Sequence, residues 1–287
     1  MNFDDVAVPG GWLRIARFGD GPRLIIAAHG VSASLMAWHA VAGALPSGWS
    51  LIAADLRGRG HSAGLPGPYG LDRHAGDLAL VADHVGADDT SVLTGHSMGA
   101  YVAALHGAER RYARVVLVDG GLPLPLPPGA DPDEALAAVL GPALTRLSQT
   151  YADVEAYVGF FRDHPALRDH WSPVIEEYVR YDATGPAGAV RSRVRAEAVR
   201  EDGRWPLVEH EAIGAALTAL QPAPWLLRAP RGLLNQETGF LTDEVTAVWK
   251  ARLPGLREEV VEDCNHYTIL FDRRCAAVVA DRLTRPE

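Results

Sequence analysis

A doubly wound, mostly parallel α/β sheet carrying an inserted helical segment is the architecture that this sequence predicts. Three observations carry the expectation. Apolar runs such as Leu24-Ile25-Ile26-Ala27-Ala28 are continuous rather than alternating, as strands buried on both faces must be. Such runs alternate with stretches of helical periodicity, and parallel neighbours need those crossovers. The alternation breaks once: from Asp133 to about Leu220 the pattern is helical without a convincing buried strand, and then the sheet resumes. The expected organisation is a core of residues 1–121 and 223–287, with 122–222 inserted as a helical cap. The insertion leaves from the C-terminal ends of the strands, where open α/β sheets place their sites, so it reads as a lid.

In chain order, a strand is expected over 12–18, closed by the turn Gly19-Asp20-Gly21-Pro22. The run 24–28 ends at His29-Gly30, and a helix over 35–45 follows with Ser32 or Ser34 as its cap. A second buried strand, 51–54, leads into Asp55-Leu56-Arg57-Gly58-Arg59-Gly60-His61-Ser62. Next come a helix over 72–85, a strand over 92–94, a helix over 100–109 and a strand over 115–118 that runs into Asp119. Residues 120–132 carry five prolines and read as a stiff connector. Beyond the cap, strands are expected at 225–229 and 258–261, with helices over 242–252 and 274–283. The sequence holds no internal repeat.

Composition narrows the function. Of 287 residues, 48% are hydrophobic and 22% charged, the balance of an ordinary globular protein. With 27 basic and 36 acidic residues the net charge is −9, which argues against nucleic acid or an anionic membrane as the main partner. Arg191, Arg193, Arg195, Arg200 and Arg204 form a basic run, but Glu197, Glu201 and Asp202 interleave, so it reads as a solvated helix face. Cys264 and Cys275 make no disulfide framework, and the first residues lack a signal pattern. No apolar run approaches the ~18 residues of a membrane span. A cytoplasmic protein is expected; oligomeric state leaves no mark on the sequence.

The sharpest local signal is Gly95-His96-Ser97-Met98-Gly99, set between an expected strand and an expected helix. A serine in so sharp a strand-to-helix turn needs small residues two positions either side, because a Cβ there would meet the neighbouring strand or helix. The turn lifts the hydroxyl above the sheet edge, and the helix aims its first amides at whatever the hydroxyl attacks. A serine hydroxyl also needs a base to take its proton. Of eleven histidines, His266 follows the last expected strand on a loop at the same sheet edge, which makes it the candidate. His29 and His96 adjoin motif glycines and read as braces, whereas His164, His170 and His210 fall in the cap, where surface placement is the default.

Taken together and in order, His29-Gly30, Asp55-x-Arg57-Gly58-x-Gly60-x-Ser62, Gly95-His96-Ser97-Met98-Gly99 and Asn265-His266 resemble the α/β-hydrolase fold family. The resemblance covers residues from about 10 to 285, the cap excepted. It implies that Ser97 is acylated, that His266 shuttles protons, and that an acidic residue orients the histidine. It also implies an oxyanion hole made by the backbone amides of Val31 and Met98. In many members the acid follows the strand written here Leu226-Leu227-Arg228-Ala229, where alignment by strand end puts Gly232. Other members supply it from the preceding strand, which here ends in Asp119, so Asp119 is the expected acid. Asp119 before Gly120-Gly121 is also a good turn signal. Glu237 is the rival on the later loop, and Asn235 could orient a histidine weakly.

The loop Arg57-Gly58-Arg59-Gly60 lacks dinucleotide spacing, since its next glycine is Gly64, and Pro66 and Pro68 prevent a helix from starting at once. It reads as a structural loop bracing the oxyanion side, and no cofactor is expected. No His/Cys/Asp/Glu cluster has metal-ligand spacing, and His210-Glu211 lacks a second histidine four residues on. Tyr157, Phe160 and Phe161 share a helical face that reads first as packing. A wall receiving an uncharged acyl or alcohol group is the second reading. The expected activity is cofactor-independent serine hydrolysis of a small-molecule carboxylic ester or lactone. A serine nucleophile disfavours the family's dehalogenases and epoxide hydrolases, which use aspartate there. The alternatives are a ligand-binding, receptor-like member, a lyase, or hydrolysis of thioesters or activated carbon–carbon bonds.

Overall fold

Continuous apolar strands have to be covered on both faces, and the computed structural model, which describes residues 1–124, 126 and 129–285, covers them with helices. The first part of the chain holds β1 (Asn2–Val8), β2 (Gly11–Phe18), β3 (Arg23–Ala28), α1 (His39–Gly43) and β4 (Trp49–Ala54). After these come α2 (Leu71–His84), β5 (Val92–His96), α3 (Met98–Glu109) and β6 (Arg114–Val118). The segment between β6 and the next long strand holds α4 (Pro132–Leu147), α5 (Val154–Arg162) and α6 (Pro173–Asp182). It continues with β7 (Ala183–Thr184), β8 (Arg191–Ser192), α7 (Ala196–Val208) and α8 (His210–Ala219). The chain closes with β9 (Trp225–Arg228), α9 (Asp243–Arg252), β10 (Arg257–Val260), α10 (Thr268–Phe271) and α11 (Arg273–Thr284).

The main sheet runs β1-β2-β4-β3-β5-β6-β9-β10. β2 is antiparallel to both β1 and β4, and every other pairing is parallel. Alternate side chains divide between two cores. Ile25, Ala27, Val92, Val116 and Leu227 pack under α1, α10 and α11. On the opposite face Ile26, Ala28, Leu93, Val115 and Leu226 pack under α2, α3 and α8. The first core runs on into the inserted segment through Tyr157, Phe161, Ile175 and Tyr178.

Several sequence expectations need correction. β1 is unexpected from the sequence because Asp4 and Asp5 are poor strand formers; as a charged edge strand it also discourages pairing with another chain. The segment expected as a helix over 35–45 is a tight turn of 3₁₀ helix followed by α1; Ser34 holds its N-cap position, but its hydroxyl makes no capping bond. Asp55 Oδ1 accepts the Leu35 amide at 2.8 Å instead, a tertiary cap that local sequence cannot reveal. The inserted segment carries the short ladder β7–β8, too brief to show a period. α8, although inside 122–222, packs on α3 of the core through Ile213 and Leu217. Pro125, Pro127 and Pro128 of the expected connector lie outside the described residues.

Candidate active site

β5 ends at His96, and Ser97, whose backbone is held at φ 55° and ψ −120°, follows it before α3 begins at Met98. A non-glycine residue held there costs of order 1–3 kcal/mol, so the surroundings must enforce it. They do so by close approach. A Cβ on Gly95 would lie 1.9 Å from the Gly99 carbonyl oxygen, and one on Gly99 would lie 2.2 Å from the Ala28 carbonyl oxygen of β3. One on Gly120 would lie 2.3 Å from the Ser97 carbonyl oxygen. All three obstacles are backbone atoms, which cannot swing aside. Gly99→Ala is therefore expected to cost at least about 1–3 kcal/mol and to displace Ser97. Gly64→Ala, where a Cβ meets nothing within 4 Å, is the matched control, and thermal unfolding compares the two.

The strand order places the other groups. β6 lies beside β5, and the Ser97 amide donates to the Val118 carbonyl at 2.9 Å, so the residue after Val118 arrives next to the serine turn. That residue is Asp119, fully buried with φ 43°. Its Oδ1 accepts the Ala229 amide at 3.1 Å, and its Oδ2 accepts His266 Nδ1–H at 2.6 Å. The His266 backbone is fixed at both ends. Its amide donates to the Arg231 carbonyl at 3.0 Å, and its carbonyl accepts His96 Nε2–H at 2.8 Å. With Nδ1 carrying the proton that Asp119 accepts, the bare lone pair is on Nε2. The imidazole is held among His96, Phe240 and Tyr267, with ring centroids 4.8, 5.0 and 5.6 Å away.

Ser97, His266, Val31 and Met98 all line one cavity of about 460 Å³. Gly30 lies against the serine, since a Cβ there would be 3.3 Å from Ser97 Cβ, which brings the following Val31 to the same place. Met98 opens α3, where an amide has no carbonyl four residues back in the helix. The rival acid is elsewhere. Glu237 is exposed, and among the described residues no hydrogen bond joins it to His266. Asn235 Oδ1 accepts from Arg231 and Asn265. Gly232 has no room for a side chain, because a Cβ would lie 2.0 Å from Gln236 Nε2 and 2.7 Å from the Thr238 carbonyl oxygen.

The polar groups of the loop after β4 are occupied by the fold. Asp55 accepts the Leu35 and His61 amides and the Tyr181 hydroxyl. Arg57 grips Asp77, and Ser62 Oγ accepts the Arg14 amide. Arg59, fully buried, donates from Nε to the Val31 carbonyl at 2.9 Å and from Nη2 to Met98 Sδ at 3.9 Å. His29 donates from Nδ1 to the Gly30 carbonyl and accepts the Leu56 amide at Nε2. Burial drives its pKa down to about 3, so it braces as a neutral ring. Among the described residues no group of three or more His, Cys, Asp or Glu could hold a metal, and no helix is long and apolar enough to cross a membrane.

Sequence reasoning missed two residues at the cavity, and the buried partner of one of them. Asp202, read as part of a solvated face, is fully buried; its Oδ2 accepts from Arg59 Nη1 and from His74 Nε2, and its Oδ1 accepts the Gly70 amide at 2.6 Å. The signal was present, because Ala198, Val199 and Asp202 share one helical face. Arg146 also lines the cavity, and Arg59 is the partner of Asp202; each is a buried guanidinium whose counter-ion is distant in sequence. The aromatic face divides: Phe160 and Phe161 line the cavity, while Tyr157 packs beneath and donates its hydroxyl to Asp182.

Known proteins resemble this chain. The model of the alpha/beta hydrolase family matches residues 25–281. A non-heme haloperoxidase of Rhodococcus erythropolis is 32% identical over 159 residues, covering 52% of this chain and 56% of that protein. The chain thus spans little more than half the length of that relative. Lipase LipV of Mycobacterium tuberculosis is 29% identical over 213 residues, covering 64% of this chain and 78% of the lipase. Among solved structures, E-2-(acetamidomethylene)succinate hydrolase matches with a TM-score of 0.78 at 19% identity, over 98% of this chain and 99% of that one. The thioesterase domain from the curacin biosynthetic pathway matches with a TM-score of 0.78 at 19% identity, over 99% of this chain and 98% of that one. At such identities the likeness is one of fold.

Proposed function

This chain belongs to the alpha/beta hydrolase family, and on that premise we propose that it is a cofactor-independent serine hydrolase of a carboxylic ester or lactone. The observation that carries the reading is the 2.6 Å bond from His266 Nδ1 to Asp119, which leaves Nε2 to accept a proton in the cavity that Ser97 also lines. Ser97 Oγ attacks the carbonyl carbon while its proton passes to His266 Nε2. The carbonyl π electrons move to oxygen, where the Val31 and Met98 amides receive the negative charge. Collapse expels the alcohol, which takes the proton from His266, and leaves the acyl group on Ser97. Water repeats the sequence, its proton going to His266 and then to the departing Ser97 oxygen, and the carboxylic acid leaves. Asp119 holds the imidazole in the required tautomer and stabilises the imidazolium formed at each attack.

Residues 122–222 serve in this reading as the cap over the site, apart from α8, which packs on the core. Both cysteines are free and buried, which suits a reducing cytoplasm. A binding-only reading would be favoured if His266 lacked a carboxylate partner; the bond from His266 Nδ1 to Asp119 supports the enzyme instead. A fluorophosphonate probe tests the reading. Wild type is expected to label and Ser97→Ala to lose the label with its fold intact, whereas an unlabelled wild type would favour the binder.

A further inference from the structure

The cap helix α4 puts a guanidinium into the cavity that the hydrolytic steps do not use. Arg146 lines the cavity and is only 7% exposed. Its Nη1 donates to the Tyr157 hydroxyl at 2.8 Å and to Asp182 Oδ2 at 3.3 Å, and its face lies 5.1 Å above the Phe161 ring. Asp182 is itself held by Tyr157 and by Ser192 Oγ at 2.7 Å, so the pair is anchored. No hydrogen bond among the described residues uses Arg146 Nε or Nη2. Those two nitrogens form the side-on fork that takes a carboxylate bidentately. Arg57 shows what this edge does when filled, gripping Asp77 through Nε at 3.0 Å and Nη2 at 2.9 Å.

Other donors line the same cavity. Tyr178 lines the cavity at 6% exposure, and Tyr267 and His164 line it too. Neither tyrosine hydroxyl enters a hydrogen bond among the described residues. His164 lies edge-on to Tyr267 with ring centroids 5.6 Å apart, Tyr178 lies 4.9 Å from Phe271, and Arg146 stands over Phe161, all on the wall of the one cavity, where the Arg146 charge also acts on the ionisation of Tyr178, Tyr267 and His164. Tyr267 also lies against His266, with ring centroids 5.6 Å apart, so this end is about one aromatic ring away from the hydrolytic centre. Donors that open onto a cavity without a partner from the protein are free to meet a ligand, and several of them around a guanidinium make the cavity complementary to an anion. Apart from Ser32, His96, the Ser97–His266 centre and Asp202, whose carboxylate is already taken by Arg59 and His74, the rest of the wall is apolar, with Leu136, Leu140, Phe160 and Phe271 among its residues.

We propose that this end of the cavity binds a carboxylate, so that the substrate is an ester carrying a free carboxylate a short apolar spacer away from the scissile bond. The inference rests on the hydrolase reading for the fate of that ester. It also replaces the uncharged group suggested by the aromatic residues alone.

Binding to Ser97→Ala protein tests it apart from turnover. Calorimetry compares monomethyl succinate, glutarate and adipate with methyl butanoate, pentanoate and hexanoate. At least one diacid monoester is expected to bind about tenfold or more tightly than its neutral counterpart. That preference is expected to fall to about twofold or less when Arg146→Gln and Asp182→Asn are added together, a swap that leaves no buried charge unpaired. Adding Tyr178→Phe instead removes one hydroxyl and is expected to lower the preference by about threefold or more, which keeps the test open if the double swap does not fold. Equal binding of charged and neutral esters, or a preference untouched by these changes, overturns the carboxylate site. Turnover by wild type is read separately. A diacid preference without hydrolysis of any ester would sink the hydrolase reading and leave the binding site standing.

Discussion

Asp119→Asn is expected to lower kcat by about 10⁴ while KM stays within about threefold, as loss of the orienting acid does in other serine enzymes. The size follows from how both carboxylate oxygens are used. Oδ1 faces the Ala229 N–H and Oδ2 faces His266 Nδ1, so each position needs an acceptor. Asparagine offers one acceptor and one NH₂ group. Keeping the Ala229 bond turns the NH₂ toward Nδ1, which must then give up its proton and accept. The proton moves to Nε2, and the ring can no longer take one from Ser97. The opposite flip sets the NH₂ group against the Ala229 N–H and loosens the strand end that holds the site. Glu237→Gln, changing an exposed residue with no bond to His266, is expected to leave kcat within about twofold. Steady-state kinetics on the two variants reads both outcomes. Normal turnover in Asp119→Asn with collapse in Glu237→Gln would hand the role to the later loop.

Asp202→Ala is expected to destabilise the protein by about 3–5 kcal/mol and to lower kcat as well. The first effect arises because Arg59 and Asp202 are both fully buried, and truncation leaves a guanidinium without its counter-ion. The second arises because the same guanidinium holds the Val31 carbonyl and touches Met98 Sδ, so both loops that carry the proposed oxyanion amides depend on it. The pair thereby ties α7 of the inserted segment to the floor of the site. A pH signature accompanies it. Burial pushes the Asp202 carboxyl up, but Arg59, His74 and the Gly70 amide outweigh burial and hold its pKa down at about 2, against an ordinary 3.8. A carboxyl lowered on folding contributes stability that is complete above its unfolded pKa and fades as pH falls through its folded one. In wild type that contribution is expected to be lost between about pH 4 and pH 2, and Asp202→Asn is expected to lack that part of the acid transition in a fluorescence titration.

The legibility of the site in the sequence followed the range of the forces that build it. Gly95, Ser97 and Gly99 were legible because their constraint is local: a turn, a strand before it and a helix after it. His266 was legible from topology, since only a few loops reach the correct edge of a parallel sheet. Asp119 emerged because Gly232 could not serve and because β6 had to run beside β5. Arg59, Arg146 and Asp202 escaped because their meaning depends on tertiary pairing; Arg59 and Asp202 are separated by 143 positions. In sequence each resembles the charged residues of an exposed helix or loop. The capping of Leu35 by Asp55 escaped for the same reason. The continuous apolar strands revealed the order of the core, while the charged edge strand β1 and the two-residue strands β7 and β8 were too polar or too short to leave a period.

The central claim is that Ser97 carries the acyl group during turnover, and mass analysis of a rapidly quenched reaction with p-nitrophenyl acetate tests it most directly. The account predicts a burst of p-nitrophenol near one equivalent and an acetyl group on the peptide that contains Ser97. Both should be absent in Ser97→Ala and strongly slowed in Asp119→Asn. Sustained hydrolysis in Ser97→Ala, or an acetyl group on another residue at the rate of turnover, would contradict it.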